Sequence, residues 1–373
     1  MSSLQKFAET CEAIAATTKK LQKTALVAEY LKSLAVDDAA TAALFFSGRA
    51  FPVWEETTLQ VGGAVLWSVI VELSGFADTK LSEVYRKHGD LGAVAEEILA
   101  ANPNPRLSLL EVQDSFRQIA AARGPAQKRS IVLDLLARAT PLEAKYIVKI
   151  TTGDLRIGLK ESLVEEAMAK AYGSTLAEVQ RANMLLGDLG ETLRFAVAGK
   201  LAEAKMRLFH PLGFMLASPI QSAEDGLTYF PDASVEDKYD GIRAQAHVAN
   251  GEVKLFSRTR DEITESFPEL PPALAGLPQD AILDGEIVAW EFPENAPSAA
   301  NHAFPDQSEA RDRDLGRARP FSVLQQRLGR KRVSQKMLRE TPVAFLAFDV
   351  LHAGGELLID RPLRQRAEIL DRL

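Results

Sequence analysis

The spacing of apolar residues changes once along this chain, and that change constrains the fold more than any other feature. Before about residue 207, apolar residues recur at intervals of three and four positions, which is the period of an amphipathic helix. The clearest segments of this kind are LQKFAETCEAIAAT, KTALVAEYLKSL, GGAVLWSVIVELSG, LSLLEVQDSFRQIAAA and AQKRSIVLDLLARA. From Ile242 onward the period becomes two, as in a strand with one covered face. The sequence therefore predicts an all-α domain followed by an antiparallel α+β domain.

Local signals mark helix ends and the domain boundary. Thr140 begins the run Thr-Pro-Leu-Glu, which combines an N-cap, a proline at the first helical position and a capping-box glutamate. Between Arg207 and Pro231, prolines and glycines interrupt the helical pattern. We therefore predict a helical domain over residues 1–205 and a second domain over residues 206–373.

The second half carries the signals of an antiparallel sheet. Asn250-Gly251 is a pair that type I′ turns prefer, and it lies between two alternating segments, so it predicts a hairpin. AILDGEIVAW and PVAFLAFDVLHA predict two further strands, and VLQQRLGRKRVSQKML predicts a helix before the last of them. The polar stretch from Glu291 to Arg319 reads as an irregular insertion, to which we assign no role.

Composition excludes some classes of protein. A single cysteine, Cys11, excludes an internal disulfide and a zinc site made of several cysteines. No apolar run approaches the roughly 20 residues that span a bilayer, and the first residues lack a secretory signal. We therefore expect a cytoplasmic, nucleoid-associated protein without membrane contact. The net charge of −7 argues weakly against nucleic-acid binding by the whole surface, but the basic run Arg327 to Arg332 is either a local DNA contact or a solvated helix face.

The stretch EDKYDGIR places one amine among carboxylates at the start of a predicted strand. Lys238 is either a solvated surface lysine or a nucleophile, and four later features favour the nucleophile. Gly241 removes a Cβ where a ligand or the backbone must approach closely. Arg243 lies on the same strand face as Gly241, and the hairpin brings Arg258 near it. Glu286 is a carboxylate at a position in a predicted strand where it has no packing value.

These residues resemble the motifs of a known family. Lys238 to Arg243 resembles motif I of the covalent nucleotidyltransferases, and the whole chain is similar to an ATP-dependent DNA ligase. The further matching segments are Phe256-Ser257-Arg258, Leu283-Asp284-Gly285-Glu286, Ala347-Phe348-Asp349, the helical-domain segment Gly153 to Leu159 and the joint Phe209 to Ala217. Motif I alone is shared with RNA ligases and capping enzymes, whereas the helical segment with the ordered motifs is specific to DNA ligases.

The resemblance implies a site and a reaction. Lys238 would attack the α-phosphorus of ATP, release pyrophosphate and carry AMP, which the enzyme then passes to DNA. Because an ordinary lysine amine is almost fully protonated at neutral pH, such a nucleophile requires burial or nearby cations. The other implied roles are adenine contact by Glu236, stacking on adenine by Phe348, ribose and phosphate contacts by Arg243 and Arg258, and ribose or Mg²⁺ contact by Glu286.

Phe348 is also open to a plainer interpretation. The segment PVAFLAFDV alternates, so we expect Phe348 to share one strand face with Leu346 and Val350, and Phe345 to share the other with Ala347. The pattern alone favours a core phenylalanine. The resemblance instead implies that its ring covers the adenine.

The helical domain is expected to bind DNA without reading its sequence. Arg156 lies between Gly153 and Gly158, which suits either a loop laid against phosphates or the minor groove, or a simple turn between helices. The implied partner is nicked double-stranded DNA, bound by a monomer.

The sequence ends at Leu373, so the second domain is expected to be a partial adenylation domain. The resemblance implies further motifs and an OB-fold domain, which this sequence does not contain, and we expect this chain alone to be impaired in self-adenylation. Two rival functions remain: an RNA ligase or capping enzyme, against which the helical half argues, and a DNA-binding protein with a decayed second half. Intact Lys238, Arg258 and Glu286 argue against decay.

Overall fold

The chain folds into two compact units, Met1–Lys205 and Met206–Leu373. The computed structural model describes residues 4–55, 57–100, 107–230, 232–292, 316–330 and 332–373. Among them, no helix has the length and apolar character that a bilayer crossing requires. The helical first unit and the antiparallel sheet of the second confirm the fold class that the change of period predicts.

In its described part, the first unit consists mainly of α-helices joined by turns and loops. They are α1 Leu4–Ala15, α2 Lys20–Lys32, α3 Val36–Phe46, α4 Gly63–Ser74, α5 Asp78–His88, α6 Leu91–Ile98, α7 Leu109–Ala121, α8 Pro125–Arg138, α9 Pro141–Thr152, α10 Glu161–Tyr172, α11 Leu176–Leu186 and α12 Leu189–Ala198. The predicted capping box of α9 is confirmed, because Thr140 Oγ1 accepts from the Glu143 amide while Glu143 accepts from the Thr140 amide.

Aromatic rings from several helices meet in the core of the first unit. Phe7 of α1 packs against Tyr30, Phe45, Phe46 and Tyr146, and its ring centroid lies 4.8 Å from that of Phe46. All five of these rings are buried. Because rings of this size bury a large apolar area, they fix how α1, α2, α3 and α9 pack together.

The second unit is built on one antiparallel sheet. Its described strands are β1 Ile242–Ala249, β2 Glu252–Ser257, β3 Ala281–Glu291, β4 Arg317–Ala318, β5 Val343–Ala353 and β6 Glu356–Leu357. The strand order is β2-β1-β3-β5-β6, and β4 pairs with β3. The predicted hairpin is confirmed, because Ala249 pairs with Glu252 and the two turn residues both have positive φ, 50° at Asn250 and 78° at Gly251.

Short helices accompany this sheet: α13 Ala223–Tyr229, α14 Leu270–Leu274, α15 Phe321–Leu324, α16 Gln335–Glu340 and α17 Leu363–Leu370. The prediction of one helix over VLQQRLGRKRVSQKML is wrong. The chain breaks at Gly329, which has a φ of 70°, so that α15 and α16 are separate.

Arg327 corrects the prediction for the basic run. Its side chain is fully buried, where it forms a bidentate ion pair with Glu269 and donates to the carbonyl oxygens of Ser266 and Thr341. Its guanidinium also lies over the Phe267 ring. Arg327 is therefore neither a DNA contact nor part of a solvated helix face. It holds neighbouring loops of the second unit together.

The predicted insertion from Glu291 to Arg319 lies largely outside the described residues, which omit 293–315. Its two described ends return to the same place in the sheet. Trp290 and Glu291 at the end of β3 pair with Ala318 and Arg317 of β4.

Both faces of β1 are covered. Ala244, Ala246 and Val248 face the apolar core, as the alternation predicts. The polar residues on the other face are buried as well, since the Gln245 side chain exchanges two hydrogen bonds with the backbone of Leu212 and His247 Nδ1 accepts from the Phe209 amide. The segment that leads into the second unit is therefore held along this face.

Candidate active site

The run that carries Lys238 is attached to β3 through Gly241. The Gly241 amide donates to Glu286 Oε1 at 3.1 Å. A Cβ at Gly241 would lie 3.0 Å from Glu286 Cγ and closer still to the carbonyl oxygen of Ile287. Glycine is therefore required for this approach, and it brings the Lys238 run to the strand that carries Glu286.

Lys238 itself is exposed to solvent just before β1. Burial is one of the two ways in which a lysine amine could lose its proton, and the described residues do not bury Lys238. The pKa of Glu286 is raised, because burial outweighs the opposing effects of the Gly241 hydrogen bond and of the nearby cations Arg243 and Lys238. The nearby Asp240 carboxylate raises the same pKa further.

Arg243 lies at the centre of the site. It forms a bidentate pair with Asp284, with Nε 3.1 Å from Oδ1 and Nη2 2.8 Å from Oδ2, and Nη1 donates to the Met215 carbonyl at 2.6 Å. The rings of Phe214 and Phe348 lie 5.3 and 5.5 Å from its guanidinium carbon. Arg243 also pairs in register with Glu286 across the sheet. The guanidinium is thus held in a fixed orientation close to two rings.

Sequence reasoning missed the roles of Asp284 and Phe214. Asp284 is buried, which raises its pKa, while the Arg243 guanidinium opposes this rise and stabilises the carboxylate. The available signal was the alternation of β3, which places Asp284 on the same face as Glu286, two residues away. No comparable signal marks Phe214, because it belongs to the irregular joint.

Phe348 lies on the exposed side of β5, with 39% of its surface accessible. The predicted grouping with Val350 is wrong, since Val350 belongs to the apolar core together with Val343. The reason is a bulge: Ala347 pairs with Gly285 and Asp349 with Asp284, so Phe348 is an extra residue that reverses the alternation after it. The bulge presents the Phe348 ring beside Arg243.

Asp349 fixes the far side of this bulge. It forms a bidentate pair with Arg366 of α17 at 2.8 and 2.9 Å, and Arg366 also donates to the carbonyl oxygen of Arg361. From the sequence, this aspartate is identified only as part of the segment Ala347-Phe348-Asp349. The structure shows that it ties α17 to the strand residue next to Phe348.

Glu236 and Arg258 lie at the margin of the described site. Both are exposed. Arg258 follows the last pair of the hairpin, Ala244 with Ser257, and so lies near the end of β1 that carries Arg243. Glu236 accepts a hydrogen bond from the Ser234 hydroxyl at 3.0 Å. The described contacts thus join Gly241, Arg243, Glu286 and Phe348, whereas Glu236 and Arg258 stay at the edge.

In the first unit, Arg156 lies in a loop between α9 and α10. Its φ is 52°, and the glycines on either side, Gly153 and Gly158, have φ of 73° and 63°. The Arg156 side chain is 55% exposed, and its guanidinium donates to Asp154 at 2.7 Å and to the Gly89 carbonyl at 3.0 Å and lies 3.8 Å from Asp90. Arg156 is therefore accessible but pre-oriented. Its contact with DNA stays a prediction.

Comparison with known proteins gives a consistent family. Two family models match, "DNA ligase N terminus" over residues 3–169 and "ATP dependent DNA ligase domain" over residues 214–373. The chain is 55% identical over 370 residues to the "Probable DNA ligase" of Koribacter versatilis, covering 99% of this chain and 60% of that protein. It is 36% identical over 441 residues to the "Probable DNA ligase" of Opitutus terrae, covering 100% of this chain and 41% of that protein. The "DNA ligase" of Methanocella arvoryzae is 33% identical over 378 residues, with 97% of this chain and 63% of that protein covered. The chain thus spans 41% to 63% of the length of these relatives.

Proposed function

Because the chain belongs to the ATP-dependent DNA ligase family, we propose that it is the DNA-binding and nucleotide-transfer portion of an enzyme that seals nicks in duplex DNA. The observation that carries this proposal is the attachment of the Lys238 run to β3. Through the Gly241 amide, it brings a lysine close to the half-buried carboxylate of Glu286 and the oriented guanidinium of Arg243 on the neighbouring central strands β3 and β1. A solvated surface lysine needs none of these supports.

The first step is nucleotide transfer to the protein. Lys238 Nζ attacks the α-phosphorus of ATP, a nitrogen–phosphorus bond forms, and the bond to the pyrophosphate oxygen breaks. The amine must give up its protons in this step. AMP is then transferred from Lys238 to the 5′-phosphate at the nick, and the 3′-hydroxyl displaces AMP to close the DNA strand.

The residues around Lys238 have separate roles in this proposal. Phe348 covers the adenine with its accessible ring, and Glu236 contacts the adenine edge. Arg243 and Arg258 contact ribose and phosphates. Arg243 still has N–H groups available for such contacts, because its three bonds to Asp284 and Met215 leave two of its five donors. The bidentate pair with Asp284 prevents it from swinging out of the site.

Mg²⁺ fits this site as an ion that is held largely by the nucleotide. The described residues contain no group of three or more His, Cys, Asp or Glu side chains that could hold a metal by themselves. Mg²⁺ commonly binds through one or two carboxylates together with substrate phosphates, and Glu286 of the central strand β3 would supply such a carboxylate. When bound, the ion would offset the charge of the triphosphate.

The first unit, residues 1–205, would bind the sugar–phosphate backbone of nicked duplex DNA, and Arg156 would be one of its contacts. A nick can lie in any sequence, so contacts with phosphates and sugars suit this task better than base readout. We propose that the protein works as a monomer.

Nick sealing in the presence of different nucleotides tests the proposed function. The complete product of the gene that encodes this chain is incubated with a nicked DNA duplex and ATP, GTP or NAD, and in parallel with a nicked RNA duplex. Sealing of DNA with ATP is expected. Sealing of RNA in preference to DNA, or transfer of GMP, would move the protein to the rival RNA ligase or capping class.

A further inference from the structure

A buried lysine lies directly behind the loop that carries Arg156. Lys23 of α2 is only 6% exposed, and its ammonium donates to the carbonyl oxygens of Ile157 at 2.6 Å and Gly158 at 3.1 Å. These carbonyls are more than 130 residues away in the sequence. The bonds therefore join α2 to this loop and fix the direction of two of its peptide groups.

The loop is built around this ammonium. A Cβ at Gly158 would lie 2.6 Å from Lys23 Nζ, so no other residue fits there without displacing the lysine. The side chains of Leu155 and Ile157 are buried in the core of the unit, whereas Arg156 between them points outward with more than half of its side chain exposed. With its carbonyls turned inward to Lys23, the loop keeps Arg156 on the surface.

The charge of Lys23 has no acidic partner in the described part of the chain. None of the ion pairs there involves Lys23, although burying a lysine is costly unless its charge is compensated. A lysine needed only for packing could be replaced by an apolar side chain at less cost. A buried cation beneath a surface loop also makes the electrostatic potential there more positive, which favours phosphate.

We propose that Lys23 is a positioning residue for DNA binding, which holds the loop Gly153 to Gly158 so that Arg156 meets the DNA backbone. This inference rests on the proposed function of that loop. Lys23 does not itself touch DNA. Its effect must therefore pass through Arg156, and the two residues must be coupled.

A double-mutant cycle tests the coupling. Binding of the 373-residue chain to a fluorescent nicked duplex of mixed sequence is measured for the wild type, Lys23→Met, Arg156→Ala and the double variant over a series of salt concentrations. Each single change is expected to weaken binding about tenfold, as loss of one charge-assisted contact would. The double variant is expected to bind about as weakly as either single variant, and all three should lose about one unit of the salt slope.

Lys128 provides the matched control. It is 7% exposed in α8 and donates to one carbonyl, that of Leu59 at 2.8 Å, far in sequence from the loop. Lys128→Met is expected to lower the melting temperature like Lys23→Met, but to leave DNA affinity within about twofold and to add independently to Arg156→Ala. If Lys23→Met does not fold, Gly158→Ala replaces it, because the new Cβ would lie 2.6 Å from Lys23 Nζ and force the ammonium away from the loop.

The outcomes separate the two proposals. If Arg156→Ala binds DNA like the wild type, the loop is not a DNA contact, and the role of Lys23 falls with it. If Arg156→Ala weakens binding while Lys23→Met does not, or if the two effects multiply to about a hundredfold, the loop still binds DNA and the positioning role is overturned.

Discussion

Replacing Phe348 by alanine separates a ligand-covering ring from a core ring. Complete burial of a phenylalanine is worth about 1.5–3 kcal/mol, and Phe348 is 39% exposed. About three fifths of that value, or about 1–2 kcal/mol, is therefore expected as the loss of unfolding free energy. Stacking between an aromatic ring and a base is worth about 1–3 kcal/mol, so ATP affinity should fall by about ten- to a hundredfold.

Phe345 is the matched control in the same strand. Its ring packs against the apolar core and lies where a Cβ at Gly285 would be only 2.6 Å away. Phe345→Ala should cost about 3 kcal/mol of stability, near the lower end for a core phenylalanine because the ring is only partly buried. ATP affinity of this variant should stay within a few-fold of the wild type.

ATP affinity by calorimetry and unfolding by chemical denaturation are measured for both variants of the complete gene product. Phe348→Ala is expected to change mainly affinity, and Phe345→Ala mainly stability. If Phe348→Ala loses several kcal/mol of stability while binding ATP normally, the ring belongs to the core and the reasoning is refuted.

Three further predictions follow from buried contacts of the second unit. Gly241→Ala should lower the free energy of unfolding by about 1–3 kcal/mol and reduce AMP labelling at least tenfold, because its Cβ would clash with the Ile287 carbonyl and displace the Lys238 run. Normal labelling of this variant would contradict the prediction. Burial, with smaller contributions from two nearby histidines, lowers the pKa of His247 to about 3 from 6.5. The contribution of the neutral His247 ring to the free energy of unfolding is therefore fully present above pH 6.5. It is lost as the pH falls toward 3, by up to about 1.4 kcal/mol per pH unit. Denaturation between pH 6.5 and 5 should show a shallower pH dependence in His247→Gln, and equal slopes would refute the assignment. Arg327→Met should lower the free energy of unfolding by about 3–5 kcal/mol, because Glu269 loses its ion-pair partner, and DNA affinity should stay unchanged. Weakened DNA binding at normal stability would instead support a surface role for Arg327.

The sequence predicts well those features whose causes are local. The change of apolar period gives both fold types, and Asn250-Gly251 gives the hairpin because both residues tolerate positive φ. The Thr140 capping box forms as predicted, since its partners lie three residues apart. Each of these signals is complete within a few residues, so no distant contact is needed to interpret it.

Features that depend on distant chain segments were not predictable. The polar face of β1 looks like a solvent face, but Gln245 and His247 are buried because the joint segment lies over them and supplies backbone partners. Arg327 looks like one of several surface charges until Glu269 is seen beside it. In β5, the bulge at Phe348 adds one residue, and the side chains beyond it change faces. Alternation cannot reveal such an insertion.

The most direct test of the central claim locates the nucleotide on the protein. The complete gene product is treated with ATP, digested and mapped by mass spectrometry, alongside its Lys238→Ala variant. We expect an AMP adduct on Lys238 and no adduct in the variant. An adduct on a different lysine, in a Lys238→Ala protein that still seals nicks, would contradict the account.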